Sequence, residues 1–330
     1  MRATVTISLV TYNSADRIIN CLRSIRSQTY SNCNLVVLDN ASSDDTAAIV
    51  EKHAPDAEVI RETRNTGFAA AHNRIIGRVS SDYILVLNDD CALEPDYVAA
   101  LVEQMEQYRD AGSATGVLYR IGSLTGGFTR DIIDTLGLCI NHSFYTGNIG
   151  SGARKSLATR DPFIVFGVSA TAALYRREAL EQCASLSGAD ANVKQYFDEQ
   201  FFIYKEDADL AARLYRSGWN AYCVPKAEGY HVRSTKSMRF SRNVSWINQI
   251  SYRNHLWFVF KNIAAVDSIR THLTVCAYEA VKVFYLLICE PRTLRVLPDF
   301  FKGLPLIIKK RKKIFSSGIS YRALPFSRWI

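Results

Sequence analysis

The chain is poor in several features that would have narrowed its function at once. Its eight cysteines (Cys21, Cys33, Cys91, Cys139, Cys183, Cys223, Cys276 and Cys289) are scattered and form no Cys-x-x-Cys pair. Neither a zinc site nor a dense disulfide framework is therefore expected, and a reducing cytosol fits best. No Gly-x-Gly-x-x-Gly follows the first strand-like run, so a dinucleotide-binding dehydrogenase lacks its phosphate turn. No Gly-x-x-x-x-Gly-Lys-Ser/Thr occurs either, which argues against a P-loop nucleotidase. There is no internal repeat and no low-complexity tract. Met1 to Val5 leads straight into a strand-like run without a signal-peptide pattern. Acids are scarce at one end only. Residues 231–330 hold 18 Lys/Arg against 4 Asp/Glu, a net of +14, whereas residues 1–230 hold 22 against 28, a net of −6. That division predicts a catalytic unit over 1–235 and a basic extension over 236–330 with a different partner.

What remains is ordinary for a folded protein of 330 residues: 48% hydrophobic and 22% charged. Val5 to Val10, Leu35 to Leu38, Ala57 to Arg61 and Tyr83 to Leu87 are short apolar or β-branched runs suited to buried strands. Helical patterns run through Ile18, Ile19, Leu22 and Ile25, from Ala47 to Lys52, and from Ala69 to Arg78. Ser42 to Thr46 supplies capping residues for the second of these. Strands alternating with helices predict an α/β fold with a mostly parallel sheet and helices on both faces. Ligands of such sheets bind beyond the carboxyl ends of the strands. Tyr12-Asn13, Asp39-Asn40 and Asn88-Asp89-Asp90 are thereby expected on one edge. Phe163 to Tyr175 reads as a strand and a helix start or as two strands, and Gly218 is placed to end a helix through Leu210 and Leu214.

Two acidic clusters call for a chemical explanation. Tyr83 to Leu87 runs into Asn88, Asp89 and Asp90, and Tyr204-Lys205-Glu206-Asp207-Ala208-Asp209 opens a helix with three acids. An ionised carboxylate out of water is costly unless paired or metal-bound. The simplest use of both clusters is one site, where one holds a cation and the other takes a proton. The plain alternative is that acids in a first helical turn favour the helix dipole, by ~0.3–1 kcal/mol each; that suffices for Asp209.

The order Val10-Thr11-Tyr12-Asn13, Val37 to Asp44, Asn65-Thr66-Gly67-Phe68 through Asn73, Leu87 to Asp90, and Phe197 to Leu210 resembles glycosyltransferase family 2 over residues 4–235. It is most similar to the branch of rhamnosyltransferases that build bacterial surface polysaccharides. The resemblance implies a GT-A fold, a dTDP- or UDP-sugar donor, and transfer with inversion at the anomeric carbon. It implies that Thr11, Tyr12, Asn13 and Asp39 hold base and ribose, with Asn40, Asn65, Gly67 and Asn73 lining the nucleotide pocket. The family's metal motif is Asp-x-Asp, whereas residues 88–90 read Asn-Asp-Asp. Neutral Asn88 brings no charge to a cation and is assigned, with Asp89, to the sugar nucleotide. Asp90 then takes the metal position, with Asp89 in reserve and His231 as a second ligand, and the cation is Mg²⁺ or Mn²⁺. Asp207 is implied as the general base, with Glu206 as runner-up. Asp198 is a further catalytic candidate, and Asp198 or Glu199 is expected to hold acceptor hydroxyls.

In the extension, Leu273 to Cys289 is apolar but interrupted by Glu279 and Lys282. It reads as an interfacial helix rather than a span, which needs ~20 mostly apolar residues. Lys309 to Lys313 is a continuous basic run suited to an anionic leaflet. The expected acceptor is a polyprenyl-diphosphate-linked sugar or an oligosaccharide. The expected location is cytoplasmic, peripheral on the inner face of the plasma membrane. No recognisable nucleic-acid fold or basic groove is evident, so nucleic acid is not expected as a partner. Two other readings stay open: a catalytically silent scaffold that binds nucleotide-sugar or lipid, and a nucleotidyltransferase. The latter would carry a Gly-rich basic loop after the first strand, where Tyr12-Asn13-Ser14 stands.

Overall fold

A computed structural model describes residues 2–124, 128–157, 161–186, 194–233, 243–316 and 322–326. The expected boundary at 235/236 lies outside the described residues. Strands β1 (Val5–Thr11), β2 (Cys33–Asp39), β3 (Glu58–Arg61) and β4 (Tyr83–Asn88) alternate with α1 (Ile18–Arg26), α2 (Thr46–His53) and α3 (Gly67–Arg78). Next come β5 (Cys91–Leu93), α4 (Tyr97–Gln107), β6 (Ala111–Ile121), β7 (Ile133–Thr135), β8 (Leu138–Ile140) and β9 (Thr146–Asn148). The sheet-bearing part closes with β10 (Phe163–Val165), β11 (Ala172–Arg176), α5 (Arg177–Cys183), β12 (Ser185–Leu186), β13 (Lys194–Gln195), α6 (Glu206–Arg216) and β14 (Asn220–Val232). The extension is α7 (Asn243–Asn262), α8 (Ile269–Cys289) and α9 (Leu297–Ser316).

The main sheet has the order β10-β14-β6-β11-β4-β1-β2-β3, with β5 against β14 and β7 against β6. β3, β2, β1 and β4 are mutually parallel, and β11 lies antiparallel between β4 and β6. The ambiguous stretch from Phe163 to Tyr175 is thus two strands. Alternation along β4 sends Leu85 and Leu87 into the core on one face and Ile84 and Val86 into the core on the other. That two-sided burial explains its unbroken apolar run.

Connectivity then builds the functional edge. β1, β2 and β4 all end there, at Thr11, Asp39 and Asn88. After the acidic turn the chain reverses into β5, which pairs with the far end of β14 and sets His231 opposite Cys91. The extension packs directly on this unit. Phe201, Ala208 and Ala212 share one apolar cluster with Trp257 and Phe258 of α7 and Phe300 and Ile307 of α9. Arg216 of α6 meets Asp267 at 2.7 Å in a fully buried ion pair. α8 departs from expectation. It begins at Ile269, ahead of the apolar stretch from Leu273, and by length (21 residues) and composition (mean hydropathy 1.4 over an 18-residue window) it is long and apolar enough to cross a membrane.

Candidate active site

At the tip of β4 the three residues diverge. Asp89 turns inward, hydrogen-bonded by the Ser14 hydroxyl and 3.2 Å from Arg17 Nε. Burial raises its pKa against the pull of Arg17. It is therefore engaged within the chain while staying partly exposed at the same edge as Asn88 and Asp90. The Asn88 side chain has no partner among the described residues and is half-buried at the edge. Asp90 faces His231, with 3.4 Å between Oδ1 and Nε2.

The other histidine nitrogen, Nδ1, is 2.7 Å from Asp134 on β7. Asp134 is fully buried and also lies 2.9 Å from Arg233. Burial opposes charge on His231, but Asp134 and Asp90 outweigh it and raise the pKa to about 9. Carboxylate, imidazole and a backing carboxylate make the arrangement that fixes a metal-binding histidine. Asp90, Cys91 and His231 place their ligand atoms within 4.8 Å of one another. Burial keeps the Cys91 thiol protonated, leaving an oxygen and an imidazole nitrogen. With its pKa at about 9 the His231 ring carries a proton at neutral pH, which a cation must displace; the oxygen and nitrogen donors then suit a divalent cation. Asp134 had no local signal, since it lies 97 residues from its partner.

The second cluster lies across the same edge. The Ala170 amide lies near enough to the Asp207 carboxylate to favour its charged form, while the carbonyl of the next residue, Thr171, accepts from the Asn88 backbone amide at 2.9 Å. One turn of chain before β11 thus lies between the backbone at the end of β4 and Asp207. Burial raises the pKa of Asp207, opposed by the Ala208 amide and Lys205. Its neighbour Glu206 is buried with one oxygen unpartnered, and burial together with Asp207 lifts its pKa to about 8. A carboxyl held there keeps its proton at neutral pH, so Glu206 is a poor proton acceptor. Asp207 is the better placed of the two.

Several expected site residues serve the framework instead. Asp198 is 1% exposed; Lys261 lies 2.5 Å from one carboxylate oxygen and Lys310 contacts the other. It has no free face for an acceptor or a proton, which corrects both roles expected of it. Asn73 spends its amide on Phe197 and Glu199 and its oxygen on the amides of Tyr196 and Phe197. It clamps the 196–199 segment and does not line a nucleotide pocket. Glu199 remains partly exposed beside it. Asn40 is likewise consumed by Asn65, Thr66 and the Gly67 carbonyl. Gly67 has φ +83°, and a Cβ there would lie 2.4 Å from the Phe202 ring, so glycine is demanded by backbone and space. Asn65 accepts from the Gly67 amide at 2.9 Å.

The first two strand ends are more open. Tyr12 is 46% exposed. Asn13 sits at φ 50° and accepts from the Ser43 amide at 2.8 Å. Asp39 is bonded by Ser42 and lies 3.4 Å from the Thr11 hydroxyl. These residues stay together at the mouth of β1 and β2. A hollow of about 690 Å³ lies at the opposite end of these strands, lined by Thr6, Cys33 and Ser81 among others; the functional edge is recognised by its chemistry rather than by size.

The family model described as glycosyl transferase family 2 matches residues 6–184, more than half of the chain. The chain belongs to that family. Within it, the enzyme is 27% identical over 252 residues to N-acetylglucosaminyl-diphospho-decaprenol L-rhamnosyltransferase of Mycobacterium tuberculosis (strain ATCC 25618 / H37Rv), covering 70% of this chain and 76% of that one. Over 131 residues it is 30% identical to glycosyltransferase GlyA of Streptococcus pneumoniae serotype 4, covering 39% of this chain and 19% of that one. Among solved structures, GalNAc-T7 with UDP, GalNAc and Mn²⁺ superposes with a TM-score of 0.63 at 12% identity, covering 94% of this chain and 58% of that one. Mannosyltransferase PcManGT from Pyrobaculum calidifontis with GDP-Man and Mn²⁺ gives 0.53 at 19% identity, covering 93% and 76%. At such identities the likeness is one of fold. It identifies the glycosyltransferase as GT-A, with the mixed sheet and added helices described above.

Proposed function

We propose that this glycosyltransferase moves rhamnose, with inversion, from a dTDP- or UDP-sugar to a polyprenyl-diphosphate-linked or oligosaccharide acceptor during cell-surface polysaccharide synthesis. The observation that carries the reading is the shared edge: the Ala170–Thr171 segment holds the backbone at the end of β4, through the Asn88 amide, and lies beside the Asp207 carboxylate. The mycobacterial relative's name supports the sugar and the lipid-linked acceptor.

In this reading Tyr12, Asn13 and Asp39 hold the nucleoside and Asn88 contacts the sugar nucleotide. Asp90 and His231 would hold a divalent cation, which stabilises the charge that builds on a leaving diphosphate. Asp134 holds the imidazole in orientation through Nδ1. Asp207 accepts the acceptor hydroxyl's proton, a contribution of ~10²–10⁴-fold. Neutral Glu206 keeps a second negative charge away from the incoming alcohol.

The acceptor class calls for a membrane surface. α8 leaves Ile269, Leu273, Val281, Phe284, Leu287 and Ile288 each more than half exposed. Lys309, Lys312 and Lys313 are exposed on α9. Such a pairing of apolar stripe and cations suits the inner face of the plasma membrane. The deciding experiment incubates the protein with a prenyl-diphosphate-linked sugar and a panel of nucleotide sugars, with and without Mn²⁺. Binding and turnover of dTDP-rhamnose above the other sugars supports the reading. Turnover confined to a different sugar removes rhamnose, and no turnover of any sugar removes the transferase assignment of this site.

A further inference from the structure

The geometry points to Asn254, on α7, as a positioning residue for the catalytic base, and hence to α7 as part of the catalytic apparatus. The inference rests on the assignment of Asp207 above.

The segment ahead of α6 is held in an unusual shape. Phe202, Tyr204 and Lys205 have φ of 65°, 70° and 74°. L-residues disfavour this region because Cβ crowds the following carbonyl, and three such residues within four positions persist only where surroundings enforce them. Lys205 is the residue immediately before α6, so whatever holds this segment sets the position and direction of Glu206 and Asp207.

Three anchors do so. The Phe202 carbonyl accepts from the Phe68 and Ala69 amides at the start of α3. Lys205 Nζ reaches the Thr146 hydroxyl at 2.5 Å. The third anchor comes from the extension. Asn254 is fully buried, and its amide nitrogen lies 2.8, 2.8 and 2.9 Å from the carbonyl oxygens of Phe201, Ile203 and Tyr204. Two N–H groups thus serve three carbonyls turned to one point. The Asn254 oxygen is in turn fixed by the Arg253 guanidinium at 3.0 and 3.1 Å.

An asparagine on this apolar helix face, three residues before Trp257, is costly unless its polar atoms are used. Its use is to gather carbonyls that the left-handed backbone turns inward. Within the segment the Ile203 amide also donates to the Phe201 carbonyl at 2.7 Å, whereas among the described residues the Ile203 and Tyr204 carbonyls are served by Asn254. Asp207 itself is not touched by Asn254. The action passes through the backbone of residues 201–205.

The test compares Asn254→Ala and the nearly isosteric Asn254→Asp with the wild type. Hydrogen exchange is followed over residues 202–208, dTDP binding is measured with Mn²⁺, and kcat and donor KM are measured with dTDP-rhamnose and a prenyl-diphosphate-linked sugar. Expected are at least tenfold faster exchange confined to 202–208, dTDP affinity and donor KM within about twofold, and kcat reduced about 10- to 100-fold. The pH at which kcat reaches half its plateau should also shift, since the base changes surroundings. Wild-type kcat in both variants overturns the inference. So does a loss of kcat that only tracks loss of dTDP binding and of exchange protection across the whole sheet. An Asp207→Asn control separates the two claims. If it retains activity, the base assignment falls; if it is dead while both Asn254 variants are fully active, only the present inference falls.

Discussion

Replacing Glu206 by glutamine should stabilise the protein at pH 8 and do so much less at pH 5. In the folded chain the Glu206 pKa is raised from 4.5 to about 8 by burial, with Asp207 adding to it. Well below pH 4.5 the carboxyl is neutral whether folded or not, and there is no penalty. As pH rises toward 8 the unfolded chain ionises and the folded one does not. The unfolded state then binds fewer protons, so stability falls across this window and levels off above it. At ~1.4 kcal/mol per pKa unit, the full shift corresponds to roughly 4–5 kcal/mol. Water entry and adjustment of Asp207 reduce that to about 2–3 kcal/mol, or several degrees in Tm. Glutamine keeps the shape without the titration. Thermal unfolding of both proteins at pH 5, 6.5 and 8 reads the effect as a difference in Tm that grows with pH. A difference that stays constant or shrinks with pH would refute the placement of a neutral, buried Glu206 beside the base.

Three further outcomes follow from the same geometry. Asp134→Asn should weaken Mn²⁺ binding by ~10–100-fold in calorimetry; unchanged affinity would mean that His231 needs no backing carboxylate. Lys310→Met leaves Asp198 short of a buried partner and should cost ~3–5 kcal/mol in urea unfolding; a loss below 1 kcal/mol would contradict a tight seam between α9 and the catalytic part. Phe284→Glu with Leu287→Glu should cut co-sedimentation with phosphatidylglycerol vesicles about tenfold, and full retention on vesicles would show that α8 is not the contact.

Much of the fold was legible because its signals are local. β1, β2, β3 and β4 each came from a short apolar run, and the residue periods placed α1 and α3 between them. Gly218 ends α6 as its position implied, at φ +97°. The site was legible in outline for the same reason, since strand ends expose polar residues wherever a buried run stops. What failed was burial decided at long range. Asp198 read as an acceptor-binding acid because Lys261 and Lys310, its partners, lie 63 and 112 residues away. Asn73 and Asn40 read as pocket residues because nothing in their own segments shows that the backbone of 196–199 and of 65–67 consumes them. Asp134 and Asn254 carried no motif at all. A lysine inside the apolar stretch Trp257 to Ile263 was the one available hint that the extension holds a buried charge.

The account depends on Asp207 acting on the acceptor while the tip of β4 holds the donor. Asp207→Asn separates them in one preparation, with dTDP binding measured in Mn²⁺ beside transfer from dTDP-rhamnose. Nucleotide affinity within about threefold of wild type, with transfer down ~10²–10⁴-fold, is the predicted result. Transfer at the wild-type rate, or nucleotide binding lost together with transfer, would contradict it.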